Sequence, residues 1–408
     1  MPKLSKNQFL TSRIPGSSKE RLLMQLSRID REWLRGQLWK AYREARKGKR
    51  RTEDEYRFEQ NDMKNINRLT ELILSGQYKP SAGVAFIVEA PVKREIFAAP
   101  FVDRVVHHFL FNMINEWWDK RLIYNSFSCR KGKGTMFGYQ RLARDIRSVS
   151  DNYTKKTWVI KLDLKGYFMS LPRDGLFERI VWGLRHQYPN GGPYFQLLKY
   201  LWREIIFDNP IVGVRKRKPL AAWDGLPDDK SLFHTPEGIG IVIGNLSSQL
   251  LSNIYLDQLD RFISFQLGYK HYGRYVDDFY LVVPDGPEFE QAKRDIPAIR
   301  NYALGLKLKL HPRKVYIQEV SKGVDYLGVV VYPHRIVPGK RFKRNFYRAA
   351  TAYAIGHGKT ESVISYFGQC KHLASRKLCN KVYDYISREY ALSPGKKSVF
   401  RKGFTALD

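Results

Sequence analysis

The residues best placed to do chemistry are two adjacent carboxylates, Asp277 and Asp278. They follow His271-Tyr272-Gly273-Arg274-Tyr275-Val276 and precede Phe279-Tyr280-Leu281-Val282-Val283. Within a strand, neighbouring side chains point to opposite faces. At the tip of a hairpin two Asp residues escape that limit and can reach one group of cations. Carboxylates that share two divalent ions promote in-line transfer of phosphoryl and nucleotidyl groups. The alternative is a solvated Asp pair in an ordinary turn.

A third carboxylate lies far upstream, in Trp158-Val159-Ile160-Lys161-Leu162-Asp163. The β-branched pair Val159-Ile160 between Trp158 and Leu162 predicts a buried strand. Asp163 falls at its end, where a buried charge must be paired or bind metal. A capping Asp is the alternative.

With these residues in place, the sequence resembles reverse transcriptases. Asp163 followed by Phe168 looks like their motif A, and Tyr275-Val276-Asp277-Asp278 like their motif C. Gly238-Ile239-Gly240-Ile241-Val242-Ile243-Gly244-Asn245-Leu246-Ser247-Ser248-Gln249 resembles motif B, with Ile243-Gly244 and Ser248-Gln249 where most members have Gln-Gly and Ser-Pro. That form is similar to the enzymes of diversity-generating retroelements. Lys314 looks like the motif D lysine, and Val324-Asp325-Tyr326-Leu327-Gly328 like motif E. The resemblance runs from about Pro91 to Lys377.

The resemblance implies an α+β right-hand polymerase: fingers, a palm of antiparallel sheet plus helices, and a helical thumb. The implied boundaries are 1–85 for a basic helical extension and the start of the fingers, 86–156 for the fingers, 157–333 for the palm with an insertion at about 185–235, and 334–408 for the thumb and a basic tail. It also implies two Mg²⁺ ions, replaceable by Mn²⁺, at Asp163, Leu164, Asp277 and Asp278, an oxygen-rich set suited to a hard ion. Lys314 would protonate the leaving pyrophosphate. Lys93, Arg94, Phe168, Ile243 and Gly244 would contact the dNTP, with Phe168 excluding a 2′-hydroxyl. Arg130, Lys131, Lys133, Ser248, Gln249, Tyr275, Lys340, Arg341, Lys343 and Arg344 would contact nucleic acid.

Composition points the same way independently. The net charge is +31 over 408 residues, a surplus that marks a polyanionic partner. Three cysteines, Cys129, Cys370 and Cys379, suit neither a zinc cluster nor a disulfide framework. No apolar run approaches membrane-spanning length, and no signal-type core follows Met1-Pro2-Lys3-Leu4-Ser5-Lys6. The expectation is a cytoplasmic protein of prokaryotic or phage origin.

Leu22, Leu23, Leu26, Ile29 and Trp33 recur at helical spacing and predict one amphipathic helix. Seven of the twelve residues Lys40–Arg51 are basic, which suits an RNA-backbone clamp or a solvated helix face. Trp39 and Tyr42 could stack on bases or join the core. Val84–Val88 and Lys93–Phe97 read as a strand pair, and Asp103–His108 as the opening of a helix. Ser128–Thr135 is a Gly-rich basic loop without P-loop spacing. Pro189-Asn190-Gly191-Gly192-Pro193 predicts a turn. A long helix should follow Gly244, and Lys340–Arg348 should start a basic, aromatic helix.

Ile243 cannot hydrogen-bond to a nucleotide or template base as Gln does. The resemblance implies copying that is error-prone opposite template adenine. It further implies a dedicated structured non-coding template RNA, a cDNA product, dNTP substrates and a small basic helical accessory protein. Two other readings remain: a prokaryotic anti-phage defence reverse transcriptase copying its own non-coding RNA, and a non-catalytic RNA-binding protein on a polymerase fold. A group II intron enzyme fits less well, given motif B.

Overall fold

The computed structural model describes residues 17–47, 52–89 and 92–391. The end of the basic run, Gly48–Arg51, together with Pro91, Met1–Lys6 and the tail from Ser393, lies outside the described residues.

The chain opens with helices α1 (Ser18–Leu26), α2 (Arg31–Arg46), α3 (Glu53–Glu59) and α4 (Asp62–Leu74). The expected single N-terminal helix is therefore two. Asp30 breaks it, because its side chain accepts the Glu32 N–H at 2.9 Å and caps α2. Tyr42 is buried among Trp39, Phe58 and Phe101, so it belongs to the core.

Strands β1 (Val84–Val88) and β2 (Arg94–Ala98) pair antiparallel, and α5 (Phe101–Asp119) and α6 (Thr135–Val149) follow. Next come β3 (Thr157–Asp163), the short α7 (Tyr167–Ser170), α8 (Arg173–Gln187) and α9 (Pro193–Phe207). The stretch expected as an irregular palm insertion thus begins with a regular helix. Leu197, Leu198, Leu201 and Trp202 on α9 are buried in the main core against α8 and α1. After α9, β4 (Arg215–Lys216) adds to β1 in parallel, so this part joins the fingers sheet rather than the palm sheet.

Helix α10 (Leu246–Arg261) follows motif B; then come β5 (Tyr272–Tyr275), β6 (Asp278–Pro284), α11 (Pro287–Gly305) and β7 (Tyr316–Glu319). Strands β5-β6-β3-β7, in that order, form the antiparallel palm sheet. Its strands read as near-continuous apolar runs because both faces are covered. Ile160, Leu162, Phe279 and Leu281 face the main helical core, while Val159, Tyr280 and Val282 face a second core under α6. Strands β8 (Val324–Tyr326), β9 (Val329–Tyr332) and β10 (Arg335–Pro338) close that second core as a meander.

Three helices end the described chain: α12 (Lys340–Ala354), α13 (Thr360–Cys370) and α14 (Arg376–Ala391). They share a separate core of Phe342, Phe346, Ala350, Val363, Phe367, Val382 and Ile386. No helix among the described residues is long and apolar enough to cross a membrane.

One buried ion pair ties sheet to helix. Arg274 on β5 and Asp260 on α10 are both fully buried, with Nε–Oδ1 and Nη2–Oδ2 each at 2.7 Å. Tyr272 donates to the same carboxylate at 2.6 Å. Asp260→Leu strands a buried guanidinium and should cost about 3–5 kcal/mol in urea unfolding, whereas adding Arg274→Met should recover much of that loss. Additive losses in the double variant would show that the two residues act independently.

Candidate active site

Asp163 ends β3 and Asp278 begins β6, and the two are register partners across the strands. Directly opposed residues in an antiparallel pair point to the same face. Asp277 occupies the turn between β5 and β6. The turn is held by its backbone: Val276 has φ +56°, its N–H donates to Ser128 Oγ at 3.2 Å, and its carbonyl accepts from Arg274 Nη1 at 2.9 Å. The Asp277 carbonyl accepts the Leu164 N–H at 3.1 Å. Ser128 is fixed in turn by Asn253 of α10, whose Nδ2 donates to its carbonyl at 2.8 Å. Thus the three carboxylates meet at one end of the palm sheet. Leu164 buries its side chain in the core, so only its main chain can face that end.

The site disfavours its own negative charge. Burial first, then the Asp163 charge, pushes Asp277 up to about 6. Burial does the same to Asp278, also about 6, against relief from the nearby Lys161 cation. Lys314 sits on Asp163, with Nζ 3.0 and 2.9 Å from the two carboxylate oxygens. Among the described residues no three His, Cys, Asp or Glu side chains are already gathered into a cage for an ion. The oxygen-only donors and their mutual repulsion nonetheless match the chemistry of a hard divalent cation.

Around the carboxylates, the sequence expectations divide. Arg94 is exposed, and its charge is felt by both Asp277 and Tyr275. Lys93 turns away: Nζ donates to the Asp224 carbonyl at 2.7 Å and lies 3.8 Å from Glu89. Phe168 and Ile243 are partly buried and pack against the same small apolar cluster. The Ile243 carbonyl accepts the Phe97 N–H at 3.1 Å. Gly244, at φ +130°, passes so close to β2 that a Cβ would lie 2.9 Å from the Phe97 carbonyl oxygen.

Arg130 corrects an expectation. Its guanidinium is spent inside the protein, on the Asp119 carboxylate and carbonyl and on the carbonyls of Ile123 and Ser126. It shapes the Gly-rich loop, on which Lys131 is exposed, whereas the Lys133 Nζ donates to the Tyr124 carbonyl at 2.5 Å. Lys133 also stacks 4.3 Å from the Tyr124 ring, and burial lowers it to about 8. Ser248 is a second correction, because it is buried on the inner face of α10. Gln249 beside it is exposed, and Tyr275 is partly buried against the second core. Lys340, Arg341, Lys343 and Arg344 are exposed on α12, opposite its buried Phe342 and Phe346. His107 is buried and bonded to Ser247, a structural role.

Several positioning residues escaped the sequence reading: Arg274, Asp260, Ser128, Asn253 and Glu95. The signal for Arg274 was present, since an Arg inside a buried strand needs a charged partner. Nothing local identified that partner as Asp260.

A palm sheet with carboxylates at the ends of β3 and the β5–β6 turn, flanked by a fingers sheet and a helical thumb, defines a right-hand polymerase fold. Residues 93–331, more than half of the chain, match the model of the reverse transcriptases (RNA-dependent DNA polymerases), and the chain belongs to that family. It is similar to Protein YkfC of Escherichia coli (strain K12), at 24% identity over 307 residues that cover 66% of this chain and 70% of that one. Among solved structures it is similar to telomerase from Candida albicans, solved with a TWJ fragment of telomeric RNA. There the TM-score is 0.46 and the identity 12%, over 83% of this chain; the chain spans 59% of that telomerase chain.

The raised Asp277 carboxyl sets the sign of a pH effect in EDTA-treated protein. Its charge penalty is absent below the ordinary value of 3.8, grows with pH, and is complete above about 6. The shift corresponds to at most about 3 kcal/mol, and solvent access reduces it to about 1 kcal/mol. Asp277→Asn should therefore unfold at higher urea than wild type at pH 8 and show no gain at pH 4. A gain that is the same at both pH values would exclude charge as its cause.

Proposed function

We propose that this protein copies a dedicated structured non-coding RNA into cDNA from dNTPs, with frequent errors opposite template adenine. The observation that carries the polymerase reading is the convergence of Asp163, Asp277 and Asp278 at one end of the palm sheet.

Asp163 and Asp277, supported by Asp278 and the Leu164 main chain, would hold two Mg²⁺ ions, or Mn²⁺ in their place. Such ions, when bound, lower the pKa of a primer 3′-hydroxyl and neutralise charge on the triphosphate. The chain's own residues do the positioning. Arg94 offers a planar fork to phosphate oxygens. Phe168, five residues after Asp163 and partly buried, would exclude a 2′-hydroxyl. Lys314 holds the Asp163 carboxylate and would supply a proton to the departing pyrophosphate. The exposed cations of α12 and Lys131 suit the backbone of the nucleic acid. A small basic helical accessory protein fits this reading.

Ile243 supports the error-prone part. Its side chain packs in an apolar cluster and offers no hydrogen bond to a base pair. A defence enzyme that makes faithful cDNA from its own non-coding RNA is the competing reading, and a non-catalytic RNA-binding scaffold is a third.

Primer extension on the adjacent non-coding RNA with Mg²⁺, followed by sequencing of the product, separates these readings. Asp277→Ala should lower incorporation by about a thousandfold, and wild-type errors should concentrate at template adenines. Faithful product favours defence, and no product from wild type favours the scaffold. Ile243→Gln should lower the adenine error rate by about fivefold, the scale of one hydrogen bond. An unchanged rate would remove Ile243 as the cause.

A further inference from the structure

The segment 209–238 has no place in the chemistry above, yet it is tied both to β2 and to the turn after Asp163. Its anchor is Glu95 on β2, next to Arg94. Glu95 is completely buried, and its carboxylate accepts three hydrogen bonds, all from this segment. Trp223 Nε1 donates at 2.7 Å and Ser231 Oγ at 2.9 Å to one oxygen, and the Leu232 N–H donates at 2.7 Å to the other. A buried carboxylate with that set of donors is a clamp, because each partner would be left unsatisfied without it.

The clamp has three further attachments. Lys93 donates to the Asp224 carbonyl at 2.7 Å. Strand β4 pairs with β1, with the Arg217 N–H on the Ala85 carbonyl at 2.9 Å. Across the cleft, the Asp229 backbone lies against Gly166 in the turn after Asp163, where a Cβ would come within 2.7 Å of its carbonyl oxygen; Lys165 and Asp229 are 3.6 Å apart. Between these ties, Leu232, Phe233, Trp223 and Val214 pack with Phe97, Met169, Phe168 and Ile243 in one apolar cluster. The segment therefore backs both side chains that would sort nucleotides, one from motif A and one from motif B.

We propose that the segment 209–238 is the backing layer of the nucleotide site and that Glu95, as a positioning residue, sets its selectivity for sugar and base. Phe168 and Ile243 are only as rigid as the cluster behind them. Close packing transmits displacement, since interiors have few voids to absorb it. Releasing the segment would let the Phe168 ring recede from the 2′-hydroxyl position and let Ile243 shift with β2. This inference rests on the reverse-transcriptase reading.

The test compares wild type with Glu95→Gln, which keeps the shape but meets at least one donor with an amide N–H. It adds Trp223→Phe, which keeps an aromatic ring and deletes one donor. Single-nucleotide incorporation from dNTP and rNTP is measured on a preformed RNA–DNA primer–template, beside the thermal unfolding midpoint. In both variants KM for dNTP should rise, by about tenfold in Glu95→Gln, while kcat changes less than KM. Discrimination against rNTP should fall, and the adenine error spectrum should change. A smaller effect of the same sign in Trp223→Phe supports the clamp. Folded variants with wild-type KM and discrimination overturn the inference while leaving the polymerase reading intact. An equal loss of kcat for both sugars with a lowered midpoint also overturns it, showing a merely structural role. A wild type that incorporates nothing overturns both.

Discussion

The candidate site depends on one desolvated ion pair, Arg274 with Asp260. Strand β5 could pair with β6 without it, but the turn that follows could not be aimed. Arg274 reaches past the sheet to hold the Val276 carbonyl, and Val276 sits in a left-handed conformation that a β-branched residue rarely adopts. Such strain persists only where the surroundings over-determine it. Here Ser128, Asn253, Leu164 and Arg274 together do so. Buried ion pairs are weak sources of net stability, because desolvation offsets attraction. Their return in this molecule is orientation: the pair locks α10, which follows motif B, to the strand that carries motif C.

The second organising fact is electrostatic frustration. A chain with a net charge of +31 partly buries carboxylates here where they oppose each other. Nearby cations moderate the repulsion without removing it. Lys314 engages Asp163 directly, Lys161 relieves Asp278, and Arg94 acts on Asp277 from the fingers. Cations from three separate parts of the chain thus already lie near the carboxylates. Among the described residues, exposed cations also lie on the solvent face of α12 and on the basic loop before α6.

Much of this was legible in the residues. The strand ending at Asp163, the hairpin carrying Asp277 and Asp278, the fingers strand pair, the long helix after Gly244 and the amphipathic α12 all follow from local periodicity. Each forms as its pattern predicts, because both faces of the palm sheet and one face of α12 demand apolar residues at fixed spacing. The errors share a cause. Arg130 and Lys93 are cations on a basic surface, and sequence cannot say whether a cation meets solvent, phosphate or a carbonyl of its own chain. The stretch 185–235 read as an irregular insertion because its turns and basic residues obscured the apolar stripe of α9.

By itself, the sequence determined which carboxylates are candidates for the chemistry, their order, and the elements that bear them. These are matters of residue type and spacing, and both are local. Only the tertiary structure decided that Asp163 and Asp278 are register partners, that Asp260 is the counter-charge of Arg274, and that Glu95 fastens a distant segment behind Phe168 and Ile243. Those pairings join residues 14 to 137 positions apart. They are selected by the desolvation of buried polar groups, a cost that exists only once the chain has closed around them.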